Sequence, residues 1–144
     1  MPSPMSEPTD NAAYRFPVSV KGVVIRDSRV ILLRNERDEW ELPGGKLEVG
    51  EDPETSVRRE ILEELHLAVR PARILDSWVY EIRRGVPVLI VTYGCAELSR
   101  GTAQLSDEHR EFRWFDLDGV EALNMPLGYK RSIANWADSL QASL

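Results

Sequence analysis

Gly45 to Leu67 reads GKLEVGEDPETSVRREILEELHL, and this stretch governs how the rest of the chain is read. Its second half has the pattern of an amphipathic helix. Asp52 is a good N-cap, Pro53 suits the first helical position, and Glu54 complements the positive end of the helix dipole. Val57, Ile61 and Leu65 recur every four residues as a buried stripe, so the spacing predicts a helix over Pro53–Leu65. Away from that stripe stand Glu60, Glu63 and Glu64, spaced i, i+3 and i+4, which puts three carboxylates within about 100° of arc. Each like-charge pair of this kind weakens a helix by roughly 0.2–0.5 kcal/mol. Such crowding is tolerable on a solvated face and useful where a divalent cation neutralises it. Mg²⁺ and Mn²⁺ take hard oxygen ligands and fill their remaining positions with water and substrate phosphates.

Leu42-Pro43-Gly44-Gly45 precedes the helix, and its glycines let the backbone turn tightly and approach a ligand closely. Further upstream, Phe16, Val18, Val20, Gly22 and Val24 alternate with Pro17, Ser19 and Lys21, the period of a half-buried strand. Asp27-Ser28 supplies a turn into a second strand, Val30-Ile31-Leu32-Leu33, making a hairpin. A polar loop, Asn35 to Asp38, leads to Trp40-Glu41-Leu42. Beyond the helix, Ala72–Ile82 and Val86–Leu98 read as two long strands joined at Arg83-Arg84-Gly85, and Glu111–Leu117 as another. Pro126 opens a C-terminal helix with Ile133, Trp136 and Ala137 on one face. Strands enclosing one helix and trailed by another predict a layered α+β fold rather than a parallel βαβ array. Residues 1–13, rich in Pro, Ser, Asp and Glu, read as a flexible tail, which leaves 14–144 as the domain.

Composition narrows the function. With 144 residues, 42% of them hydrophobic, the chain can bury a core without staples. A single cysteine, Cys95, rules out an internal disulfide framework and a Cys-rich zinc site. Against 18 basic residues stand 24 acidic ones, a net charge of −6, which argues against a nucleic-acid polymer as partner. No apolar run reaches the roughly 20 residues of a membrane span, and the N-terminus has no secretory pattern. The expectation is a cytoplasmic protein with no membrane partner. A polyanionic ligand would have to be small and screened by something other than protein charge.

Gly45–Leu67 resembles the Nudix box, GX5EX7REUXEEXGU with U aliphatic: Gly45, Glu51, Arg59-Glu60, Ile61, Glu63-Glu64 and Leu67 all fit. One position departs, His66 standing where the box has glycine. That glycine ends the helix in a left-handed conformation, which His adopts at a cost of about 1–2 kcal/mol or avoids by another path. The resemblance implies an α/β/α sandwich with a mixed sheet, one catalytic helix and a C-terminal helix. It implies hydrolysis of a nucleoside diphosphate linked to a moiety X, with Mg²⁺ or Mn²⁺ as cofactor. The metal ligands it implies are Glu60, Glu63, Glu64 and the backbone carbonyl of Gly44, with Glu108 from the Ser106–His109 loop and Glu111 as second choice there. The resemblance also implies Glu60 and Glu63 as catalytic carboxylates, with Glu60 the candidate base, and Arg59 with them, paired with Glu51 to brace loop and helix. Arg34 and Glu41 fall where relatives contact nucleotide, and Tyr129, like Trp40, Trp78 and Tyr80, could stack on a base. A homodimer is expected from the family alone. Segments that mark the NADH-cleaving, ADP-ribose and dinucleoside polyphosphate branches are missing, and Arg83-Arg84-Gly85 stands where two of them carry Pro or Tyr. By elimination X is expected to make a nucleoside triphosphate, cleaved to monophosphate and pyrophosphate. ADP-ribose, a nucleotide sugar, or a non-catalytic nucleotide-sensing module are the alternatives.

Overall fold

The computed structural model describes residues 15–106 and 111–143. Strand β1 (Val18–Arg26) turns into β2 (Arg29–Arg34) through Asp27 and Ser28, whose φ values of 53° and 62° are those of a tight hairpin turn. Short strands β3 (Trp40–Glu41) and β4 (Gly44–Lys46) follow, then helix α1 (Pro53–Leu65). The long hairpin β5 (Val69–Arg83) and β6 (Val86–Glu97), strand β7 (Glu111–Asp116), a 3₁₀ turn (Leu117–Ala122) and helix α2 (Leu127–Ala142) complete the order.

The sheet is mixed, with strand order β3-β2-β1-β6-β5, β4 added to β1 and β7 to β2. Strand β1 runs parallel to β6 from Val18 to Val24, while its other edge is divided. There β4 takes Ser19–Lys21 and β2 takes Ile25 and Arg26. Between them the Gly22 N–H donates to Pro43 O at 2.9 Å. The sheet therefore forks beside Gly22, and α1 starts a few residues after the inner prong.

The two helices cover opposite faces. Val57, Ile61 and Leu65 of α1 pack on Val20, Val24, Ile31 and Leu33. Tyr129, Ile133 and Trp136 of α2 pack on Val23, Val30, Leu32 and Ile90. Gly22 lets α1 sit close, since a Cβ there would lie 2.7 Å from Ile61 Cδ1; Gly94 does the same for the ring of Trp136. This is the α/β/α sandwich expected from the sequence. One local reading is corrected: β1 is not half-buried. Val20, Val23 and Val24 are all inaccessible, and Lys21 is only 7% exposed, because α2 covers the face that the alternation left to solvent.

Helix α1 starts as its sequence predicts, with Asp52 Oδ1 accepting from Thr55 N at 2.9 Å. It ends at His66, which takes the left-handed conformation (φ 58°, ψ 32°) and donates its N–H to Leu62 O at 2.9 Å. The last carbonyls are capped from the segment that follows β6, Gln104 N on Leu65 O and Ser106 N on Glu64 O. Strand β5 begins at Val69, three residues before the expected Ala72.

Candidate active site

The prong β4 carries the glycine pair toward α1. Gly44 has φ 143°, and a Cβ on it would collide with the Val20 carbonyl, so glycine alone fits. Its N–H donates to Glu64 Oε1 at 2.9 Å, which explains how a carboxylate 5% exposed is tolerated. At Gly45 a Cβ would stand 2.5–2.7 Å from the carboxyl carbon and both oxygens of Glu60. One glycine pair thus receives two carboxylates from successive turns of α1.

Arg59 is the counter-charge. Its Nε and Nη2 hold Glu51 bidentately at 2.7 and 3.0 Å, while Nη1 reaches Glu60 and Glu63, each at 3.2 Å. Burial pushes the Glu60 carboxyl above its ordinary range, against the opposing charge and hydrogen bond of Arg59. The Arg59 guanidinium holds the Glu51 carboxyl below the usual range. Glu63 is 61% exposed on the side chain and turned to Arg59.

Does this corner fit a divalent metal? Its donors are all oxygen, from Glu60, Glu64 and the Gly44 backbone, the set that suits Mg²⁺ or Mn²⁺ rather than zinc. Among the described residues no three His, Cys, Asp or Glu side chains converge at ligating distance. Mg²⁺ does not need them: it is commonly held by one or two carboxylates, with substrate phosphates and water supplying the rest. With no Cβ on Gly45, the Glu60 carboxylate sits against the backbone next to Gly44, and the residues fit the ion.

On the opposite face of the fork lies a cleft of about 70 Å³ lined by Lys21, Glu41, Tyr80 and Tyr129, with Val88 and Ile90 as its floor. Lys21 pairs in register with Gly44, so it stands at the boundary between cleft and carboxylate corner. Burial works against its ammonium, but Glu41, 4.0 Å away, together with Glu64 and Glu60 outweighs that cost and raises its pKa. The Tyr80 hydroxyl donates to the Glu39 carboxylate at 3.2 Å. Burial pushes the Tyr129 hydroxyl up to about 12, so it stays protonated.

A NUDIX domain sequence model matches residues 15–136. The chain belongs to the Nudix family. A MutT-like protein of Streptomyces ambofaciens is 39% identical over 106 residues, which are 72% of this chain and 66% of that one. An oxidized purine nucleoside triphosphate hydrolase of Danio rerio is 30% identical over 122 residues, 82% of this chain and 71% of that one. The crystal structure of a C. elegans Ap4A hydrolase binary complex has a TM-score of 0.77 over 88% of this chain and 98% of that one; at 19% identity this is a likeness of fold. The chain spans 66%, 27% and 62% of the length of the first curated relatives it matches.

The box carboxylates Glu60 and Glu64 are thus brought against Gly45 and Gly44, and Arg59 is bonded to Glu51. Glu41 and Tyr129 meet in one cleft although they are far apart in the chain. Arg34 does not line that cleft: its guanidinium is taken by Glu111 at 3.0 Å and Asp38 at 3.3 Å. Glu111 is thereby occupied by Arg34 and Arg113. Glu108 lies outside the described residues. Of the aromatics, Trp40 packs edge-on to Phe115, and Trp78 packs against Tyr129 and the backbone of Gly128. Tyr80 alone joins Tyr129 in the cleft lining. Sequence reasoning missed Lys21, Asn35 and Glu39. The signal for Lys21 was a cation in line with Val23 and Ile25 on one face of β1.

No described helix is long and apolar enough to cross a membrane.

Proposed function

We propose that this Nudix domain hydrolyses a pyrophosphate bond in a nucleoside diphosphate linked to X, and that its substrate is a nucleoside triphosphate, cleaved to monophosphate and pyrophosphate. The observation that carries the reading is the shared wall. Lys21 faces Glu41 in the cleft and pairs in register with Gly44, whose N–H holds Glu64, so the cleft and the carboxylate corner are both built on strand β1. The name of the Danio rerio relative, an oxidized purine nucleoside triphosphate hydrolase, points the same way. The catalytic unit is 14–144.

In this proposal Gly44 O, Glu60, Glu63, Glu64 and Glu108 are the metal ligands. Glu108 follows by two residues Ser106, whose N–H is bonded to Glu64 O. When bound, Mg²⁺ or Mn²⁺ would neutralise phosphate charge and acidify a water. Glu60, its carboxyl raised by burial, accepts the proton of the water that attacks phosphorus, and the anhydride oxygen leaves with pyrophosphate. Arg59 holds Glu60 and Glu63 in place, and Glu51 holds Arg59. Glu41 and Tyr129 bind the base. Arg34 contributes to substrate binding through its pairing with the strand that follows Glu108.

Product analysis tests this. Canonical and oxidised nucleoside triphosphates, ADP-ribose, nucleotide sugars and diadenosine polyphosphates are incubated with enzyme and Mg²⁺ or Mn²⁺. Monophosphate with pyrophosphate from a triphosphate supports the reading. Turnover confined to ADP-ribose or nucleotide sugars overturns the choice of X. Tight binding without turnover of any of them identifies a sensing module instead.

A further inference from the structure

Asn35, at the end of β2, is 4% exposed, and its carboxamide has only one consistent orientation. Oδ1 accepts from Arg37 N at 2.9 Å and from Glu39 N at 3.1 Å. Two backbone donors fix the oxygen at that end, so Nδ2 must face the other way, where it donates to Glu41 Oε1 at 3.1 Å. The same Glu41 oxygen lies 4.0 Å from Lys21 Nζ. Glu41 is thus held from two separate strands, through Asn35 after β2 and Lys21 within β1. The Asn35 amide also shapes the loop whose Glu39 binds the Tyr80 hydroxyl across the cleft.

We propose that Asn35 is a positioning residue for base recognition: it fixes the Glu41 carboxylate beside the Lys21 ammonium, and this acceptor–donor couple reads a nucleobase edge that carries a donor next to an acceptor. The inference rests on the pyrophosphohydrolase reading and names what the cleft recognises. Tyr80 and Tyr129 are among the residues that line the cleft, together with Val88 and Ile90. A fixed couple discriminates strongly, because a ligand edge of the wrong polarity leaves buried polar groups unpaired.

The test uses Asn35→Asp and the double variant Asn35→Asp/Glu41→Gln. In the single variant the introduced carboxylate keeps an oxygen for the Arg37 and Glu39 N–H groups but opposes Glu41 with a second negative charge. In the double variant the introduced carboxamide can donate to the introduced carboxylate, which restores the hydrogen bond with its polarity reversed. Melting temperature, kcat and KM are measured on the four deoxynucleoside triphosphates and on ribose 5-triphosphate, which has no base. The proposal predicts that Asn35→Asp raises KM for the preferred nucleotide by at least about tenfold, with much smaller changes in kcat and in KM for ribose 5-triphosphate. It also predicts that the double variant recovers melting temperature while KM for the nucleotide stays raised. Recovery of both together shows a structural role and overturns the proposal, as does an equal rise for ribose 5-triphosphate. If wild-type enzyme cleaves the triphosphates and Asn35→Asp leaves KM unchanged, the proposal fails and the hydrolase reading stands. If wild-type enzyme cleaves none of them, both fall.

Discussion

Substituting Gly45 by alanine adds one methyl group to the molecule and sets it against one carboxylate. The backbone accepts the change, because Gly45 is not among the residues at positive φ. The obstruction is Glu60: the new Cβ would stand 2.5–2.7 Å from its carboxyl carbon and oxygens, where ordinary contact begins at 3.4 Å. The carboxylate must therefore retreat by about 1 Å, a displacement that can cost about 10²-fold when it moves a catalytic group. Stability should suffer little, since the group that yields is the end of a flexible side chain. A loss of about 1 kcal/mol, at the low end for overpacking, lowers the melting temperature of a domain this size by about 4 °C. Gly50→Ala is the control. Gly50 has φ 85° with nothing within 4 Å of a built Cβ, so that variant is strained but moves no carboxylate. The assay pairs thermal melting with kcat/KM for the substrate that product analysis identifies. Gly45→Ala should lose about two orders of magnitude in kcat/KM with a small melting shift, and Gly50→Ala should lose stability while keeping activity. Wild-type kcat/KM in Gly45→Ala would refute the placement of Glu60 in the reaction.

Two further outcomes follow from α1. The Glu51 carboxyl titrates below its ordinary 4.5 because Arg59 is bonded to it. A depressed carboxyl stabilises the fold above its unfolded pKa, and that contribution is lost as pH falls through the folded value. Arg59→Met removes the cause, so the melting temperatures of wild type and variant should converge on acidification from about pH 7 toward about 3; a constant gap would contradict the assignment. His66 holds φ 58° at the helix end, so His66→Gly should relieve about 1 kcal/mol and raise the melting temperature by a few degrees. A drop would mean that the imidazole contributes more than the backbone strain costs.

The box helix was legible because each signal in it is local: the Asp52 cap, Pro53, and the four-residue spacing of Val57, Ile61 and Leu65 are properties of neighbouring residues. The layering was legible for a related reason, since only two segments carry helical periodicity and both need a sheet face to cover. Lys21 was not legible. Alternation in β1 shows that two faces differ, but only the docking of α2 turns the polar one inward. Arg34 was legible only as a nearby cation, and its ion-pair partners were not. A cation near a nucleotide-binding motif suggests a phosphate contact, yet the register of β2 with β7 sets it directly opposite Glu111. Asn35 escaped notice because a polar residue opening a polar loop reads as solvated, and its burial depends on Glu41 and the loop folding back over it.

The corner of Gly44, Glu60 and Glu64 is proposed to carry out metal-dependent hydrolysis. Its most direct test is the Mg²⁺-dependent release of pyrophosphate from nucleoside triphosphates by wild-type protein and by Glu60→Gln. The substitution keeps the size of the side chain and an acceptor for Arg59, so the fold should survive. Wild type should release pyrophosphate only with metal, and the variant should lose at least about 100-fold with its melting temperature little changed. Equal rates in the two proteins would contradict the proposal.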